Sequence, residues 1–138
     1  MKTLLAFSLL ALAGPALADS MRAGDFVVRY NALSADGLPA ASAKAQGVAH
    51  TPEQGLLNVS ASRIANDENV EATVKAKVTT LTGENVPIAF RKITESGSTT
   101  YLGTFTVPSS GSLHFSLDVT PKGGTTQHAE FNQDFIVD

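Results

Sequence analysis

The 138-residue sequence contains no cysteine and no tryptophan, has only two methionines, and carries charge on 17% of its side chains. Each shortage closes a route. Without cysteine there is no disulfide framework, no thiol nucleophile, no thiolate metal site and no iron–sulfur cluster. Small extracellular scaffolds commonly depend on disulfides, so an exported chain lacking them must be held by packing. Met21 is the one methionine beyond Met1 and is expected in a frayed N-terminus, which leaves a soft thioether copper site without ligands. Basic residues are scarce too, ten Lys and Arg against thirteen Asp and Glu for a net charge of −3. Phosphate-backbone binding needs clustered basic side chains. Lys75 with Lys77 and Arg91 with Lys92 are no more than pairs, so nucleic acid is not an expected partner.

One long hydrophobic run exists, Leu4 to Leu12. Lys2 precedes it, Gly14-Pro15 breaks it, and Ala16-Leu17-Ala18 closes it with small residues at the spacing of a cleavage site, the layout of a secretory signal peptide. Cleavage after Ala18 and a periplasmic location are therefore expected. The run falls short of the roughly 20 apolar residues that cross a bilayer about 30 Å thick, and no cysteine is present to carry a lipid, so no membrane anchor is expected. Residues 19–138 have the length of one ordinary domain.

Period-2 patterning dominates that stretch. Val70-Glu71-Ala72-Thr73-Val74-Lys75-Ala76-Lys77-Val78-Thr79 alternates small or branched apolar residues with polar ones, as a half-buried antiparallel strand requires. Leu113, Phe115, Leu117 and Val119 alternate with His114, Ser116 and Asp118, and residues 129–137 continue in the same way. Gly and Pro clusters at Gly83-Glu84-Asn85, Ser96-Gly97-Ser98, Pro108-Ser109-Ser110-Gly111 and Pro121-Lys122-Gly123-Gly124 punctuate the runs. Strands are expected near 25–33, 56–64, 70–82, 87–95, 99–107, 112–120 and 127–137. About seven antiparallel strands make an all-β, immunoglobulin-like β-sandwich, although a closed barrel satisfies the same pattern. Between the first two strands, residues 39–46 are alanine-rich, open on Pro39 and end at Gly47, which predicts a short helix or crossover.

Several strings taken in order carry a family likeness: Asp25-Phe26-Val27-Val28-Arg29-Tyr30-Asn31-Ala32-Leu33, Ala43-Lys44-Ala45-Gln46-Gly47-Val48, Gly55-Leu56-Leu57-Asn58-Val59-Ser60, Leu81-Thr82-Gly83, Leu113-His114-Phe115, Asp118-Val119-Thr120-Pro121 and Phe131-Asn132-Gln133-Asp134-Phe135. Together they resemble a family of secreted bacterial proteins known as domain of unknown function 4426. The resemblance implies a β-sandwich exported to the periplasm and brings no catalytic residues with it.

Two constellations stand out. If the Lys122-Gly123-Gly124 turn sets Phe115 against Phe131, the opposite face of that hairpin aligns Asp118 with His128, Ser116 with Glu130 and His114 with Asn132. His114, Asp118 and His128 could then serve a metal-binding or metal-delivery protein. Four residues of strand separate the two histidines by about 13 Å, whereas metal ligands converge to about 2 Å, so a solvated polar face accounts for the same residues and no metal or other cofactor is expected. His50 stands alone in a loop. The second constellation lies on the first two strands. With Phe26, Val28 and Tyr30 inward, Val27, Arg29, Asn31 and Leu33 face out, beside Leu56, Asn58 and Ser60. That mixture makes Arg29, Asn31 and Asn58 a candidate binding surface, unless the alanine-rich segment packs over it. No Gly-x-Ser-x-Gly elbow or other nucleophile motif occurs. The expectation is thus a non-catalytic periplasmic binding or accessory protein that contacts another cell-envelope component.

Overall fold

The computed structural model describes residues 19–137; the expected leader, Met1 to Ala18, lies outside them. Among the described residues nine strands follow one another: β1 Asp19–Ala23, β2 Phe26–Ser34, β3 Gln54–Arg63, β4 Asn69–Val70, β5 Ala72–Thr79, β6 Asn85–Glu95, β7 Ser98–Thr106, β8 Gly111–Pro121 and β9 Gln127–Phe135. The seven expected strands are all present. β1 and the two-residue β4 are additions, and β1 places Met21 in a strand packed against the core, where sequence reading puts it in a frayed end. Backbone pairing with β2, Asp19 opposite Tyr30 through Ala23 opposite Phe26, is what orders this segment.

All ladders are antiparallel, in the order β1-β2-β3-β7-β6-β5-β8-β9, with β4 on the side of β3. β6 joins two sheets. Its first residues pair with β5, Ile88 opposite Ala76, and from Ala89 onward it pairs with β7. The result is a sandwich bent almost into a barrel, with β9 lying close to β1 and β2. Gly103 makes the switch possible: it sits opposite Phe90, and a Cβ there would fall 2.5 Å from Ile88 Cγ2.

The core follows from the alternation. Leu113, Phe115, Leu117 and Val119 of β8 are buried, as are Phe26, Val28, Tyr30 and Ala32 of β2 and Leu57, Val59 and Ala61 of β3. Aromatic rings connect the sheets. Phe115 stacks on Phe131 at 4.9 Å, Phe131 lies 4.9 Å from Tyr30, and Phe105 meets Phe115 edge-on at 5.1 Å. Such pairs add about 0.5–1.5 kcal/mol each beyond the area they bury.

The β2–β3 connection is ordered. A 3-10 turn at Ala35–Gly37 leads into α1, Ala40–Gln46, close to the expected 39–46. The helix ends in a Schellman arrangement: Gly47 N–H donates to the Lys44 carbonyl and Val48 N–H to the Ala43 carbonyl, with Gly47 at φ 71°, a left-handed value that glycine takes without steric cost. Val48 and Leu38 then pack with Ala35, Leu33 and Ile93 around buried Leu56 and Leu102. The crossover thereby covers the apolar end of the outer face of β2 and β3.

Candidate functional site

What the crossover leaves open on that face is polar. Arg29 and Asn31 project from β2 opposite Ser60 and Asn58 of β3, so Asn31 and Asn58 are direct cross-strand neighbours. Both asparagines are half-buried. Arg29 is exposed and reaches Asp67 at 4.0 Å, a surface contact of little energetic weight. The three residues proposed from the sequence therefore share one face. The apolar companions expected beside them, Leu33 and Leu56, lie under the crossover.

The second constellation is the outer face of the β8–β9 hairpin. Its register is the expected one, with Asp118 opposite His128, Ser116 opposite Glu130 and His114 opposite Asn132. The side chains form a continuous chain across the two strands. His128 Nδ1–H donates to Asp118 Oδ1 at 2.7 Å, and its Nε2–H donates to Glu130 Oε2 at 2.8 Å. Glu130 Oε1 accepts from His114 Nε2–H at 2.9 Å, and His114 Nδ1 lies 2.8 Å from Asn132 Oδ1.

Sequence spacing separates the histidines correctly and places Glu130 on the same face beside the Asp118–His128 pair; what it does not give is that this one carboxylate stands between the two histidines and reaches both. The i, i+2, i+4 series His128, Glu130, Asn132 was the available signal. His50 lies elsewhere: its Nε2 bonds the Leu38 carbonyl at 2.9 Å and braces the crossover.

The protonation consequences are unequal. His128 faces a carboxylate at each nitrogen, and only the doubly protonated ring can donate to both. Hydrogen bonds to Glu130 and then to Asp118 raise its pKa above the ordinary 6.5. His114 is raised as well, first by Asn132 and then by Glu130. Because the Asn132 amide can turn either way, His114 keeps its bond to Glu130 in both protonation states. Glu130, accepting from two imidazoles, is held below 4.5. Lys75 lies opposite Asp118 on β5 and Lys77 opposite Ser116, and both line a shallow depression of about 330 Å³ with Asn85, Pro87, Ser116 and Asp118. Among the described residues no three His, Asp or Glu side chains converge at metal-ligand spacing.

Comparisons with known proteins can be set on this geometry. The family model described as domain of unknown function DUF4426 matches residues 20–138. The crystal structure of a DUF4426 family protein from Pseudomonas aeruginosa is similar over 88% of this chain and 96% of that one, at 30% identity and a TM-score of 0.74. FetP of uropathogenic Escherichia coli is similar in fold alone. Its copper-bound variant aligns over 87% of this chain and 95% of that one at 10% identity and a TM-score of 0.62. The as-isolated protein gives 86%, 93%, 10% and 0.61. No curated protein matches the sequence.

Proposed function

The chain belongs to the DUF4426 family, and from that premise we propose that it is a non-catalytic binding or accessory protein of the periplasm. It contacts another cell-envelope component through the outer face of β2 and β3. One observation carries this reading. Asn31 and Asn58 stand side by side, half-buried, and among the described residues neither amide has an intramolecular hydrogen bond. Beside them is Arg29, paired only loosely. Half-buried amides next to a guanidinium offer donors and acceptors on a rigid sheet, a surface suited to a polar partner. Replacing Arg29 and Asn31 with alanine is expected to abolish in-cell cross-linking to the partner and to change stability by no more than about 1 kcal/mol, Arg29 being exposed and Asn31 half-buried. Unfolding of the double variant would instead make the patch a support for the crossover.

A second reading, metal binding or delivery through His114, Asp118 and His128, is favoured by the Asp118–His128–Glu130–His114 chain and by the shared fold with copper-bound FetP. A divalent cation there competes with the proton of His128 and has to draw the side chains out of their present pairings. Calorimetry on the purified protein is expected to give no stoichiometric submicromolar Zn²⁺ or Cu²⁺ binding. Tight binding that disappears in His128→Ala would put this reading first.

A further inference from the structure

The chain has four arginines, Arg22, Arg29, Arg63 and Arg91, and three of them meet at one place. Arg22 stands on β1 opposite Val27, two residues before Arg29 on the same face of β2. Arg63 ends β3 opposite Phe26, with its guanidinium 5.2 Å from the centre of that ring. All three line one open depression of about 260 Å³, together with Val27, Ile64 and Asp67. Arg22 and Arg63 continue into a neighbouring hollow of about 290 Å³ that Asp25 also borders. In a chain with net negative charge, this gathering of guanidiniums goes against the average composition.

Their acidic neighbours hold them loosely. Arg29 is 4.0 Å from Asp67 and Arg63 is 3.5 Å from Glu68, all four side chains being exposed. Such pairs are worth little and yield readily to a better anion. Arg22 has no ion pair among the described residues. The floor, by contrast, is fixed. Ile64 N–H donates to the Asp25 carbonyl at 2.9 Å, Arg63 N–H to Glu68 at 2.8 Å and Asp67 N–H to Arg63 at 2.9 Å. The guanidiniums are thus mounted on hydrogen-bonded backbone.

We propose that this depression, lined by Arg22, Arg29 and Arg63, is a binding site for a phosphate group carried on the molecule's ligand. Asp67 and Glu68 each hold one of the three guanidiniums loosely and leave one positive charge over, and planar forked donors released from such exposed pairs fit the oxygens of a phosphate better than a distant carboxylate does. Ile64, 41% exposed at the rim, offers apolar contact to whatever bears the phosphate. The inference rests on the binding-face reading, since Arg29 belongs to both, and names the chemistry of what that face takes.

The test is a titration of the purified, ¹⁵N-labelled protein with inorganic phosphate at constant ionic strength, reading the four arginine Nε–H signals. Arg22, Arg29 and Arg63 should move on one saturable curve. Arg91, which donates to the Gln46 carbonyl elsewhere on the sheet, should stay still. Arg22→Gln and Arg63→Gln should each raise the midpoint at least tenfold. Should loss of the Phe26 contact lower the melting temperature of Arg63→Gln, the exposed Arg22→Gln alone carries the comparison. Phosphatidylglycerol and phosphatidylcholine vesicles separate the sources: selective binding to the former in competition with inorganic phosphate assigns the site to a lipid headgroup, and indifference to both assigns it to soluble phosphate. Linear drift of all four signals, or an unchanged midpoint in Arg22→Gln, overturns the proposal. If cross-linking fails while the saturable titration stands, the partner reading falls and the phosphate site remains.

Discussion

His128 shows how one side chain ties local chemistry to stability. Its raised pKa means the folded protein holds the proton more tightly than the unfolded chain does, so its contribution is complete below the ordinary value of 6.5 and fades as pH rises through the raised value. Glu130 acts in the opposite sense. Its lowered pKa contributes above the ordinary 4.5 and is lost as pH falls through the lowered value. The network therefore stabilises the β8–β9 hairpin most between these two limits. Lys75 on β5 faces the same region from beyond Asp118, while the far side of β9 has no paired strand. The melting temperature is expected to decline on the alkaline side of this window, and His128→Ala should flatten that decline. His114→Ala should do so less, because Asn132 can serve the neutral ring by turning its amide. An NMR titration that places His128 at or below the ordinary value would remove the explanation.

Elements are held by different means, and β6 depends most on a neighbour's lack of a side chain. The strand turns from one sheet to the other between Ile88 and Ala89, directly over Gly103. Gly103→Ala is expected to cost about 1–3 kcal/mol, the usual range for overpacking a filled interior. Thr73→Ala, exposed on β5, should stay within about 0.5 kcal/mol. Chemical denaturation of the two variants makes the comparison, and equal effects would mean that β6 has another way round the corner.

The same element marks where sequence reading stops. Strands β2, β3 and β5 to β9 were legible because apolar and polar residues alternate between turn signals. The β8–β9 register was legible because Phe115 and Phe131 had to meet on one face. The switch in β6 was not, since Ile88, Ala89 and Phe90 read as one unbroken strand and only the choice of partner changes. β1 escaped for a different reason: five residues opening on Asp19-Ser20 carry too little periodicity, and pairing with β2 orders them. At the candidate site, Arg29, Asn31 and Asn58 were legible as outward residues of two strands. The meeting of Arg29 with Arg22 and Arg63 was not, because it depends on β1 and on the backbone bonds that fold residues 63–68 back on the β1–β2 turn.

At the scale of the molecule, the two sheets share β6 and are joined through Tyr30, Phe105, Phe115 and Phe131, an arrangement that needs no covalent staple and therefore no oxidant to fold. β1 opens at Asp19, which pairs with Tyr30. Burial, aided by the Asp19 carboxylate, raises the pKa of the Tyr30 hydroxyl. Export itself rests on the sequence, where Lys2, the run Leu4 to Leu12 and Ala16-Leu17-Ala18 predict cleavage after Ala18. Expressed with its leader in a bacterial host, the protein is expected in the osmotic-shock fraction, beginning at Asp19, with a mass about 1.8 kDa below that of the precursor. Because the chain lacks cysteine, its single melting transition should be the same with and without reductant. Intact-mass analysis and N-terminal sequencing decide the matter. A precursor retained whole in the cytoplasm would remove the periplasmic assignment, and with it the cell envelope as the place to look for the partner of the β2–β3 face.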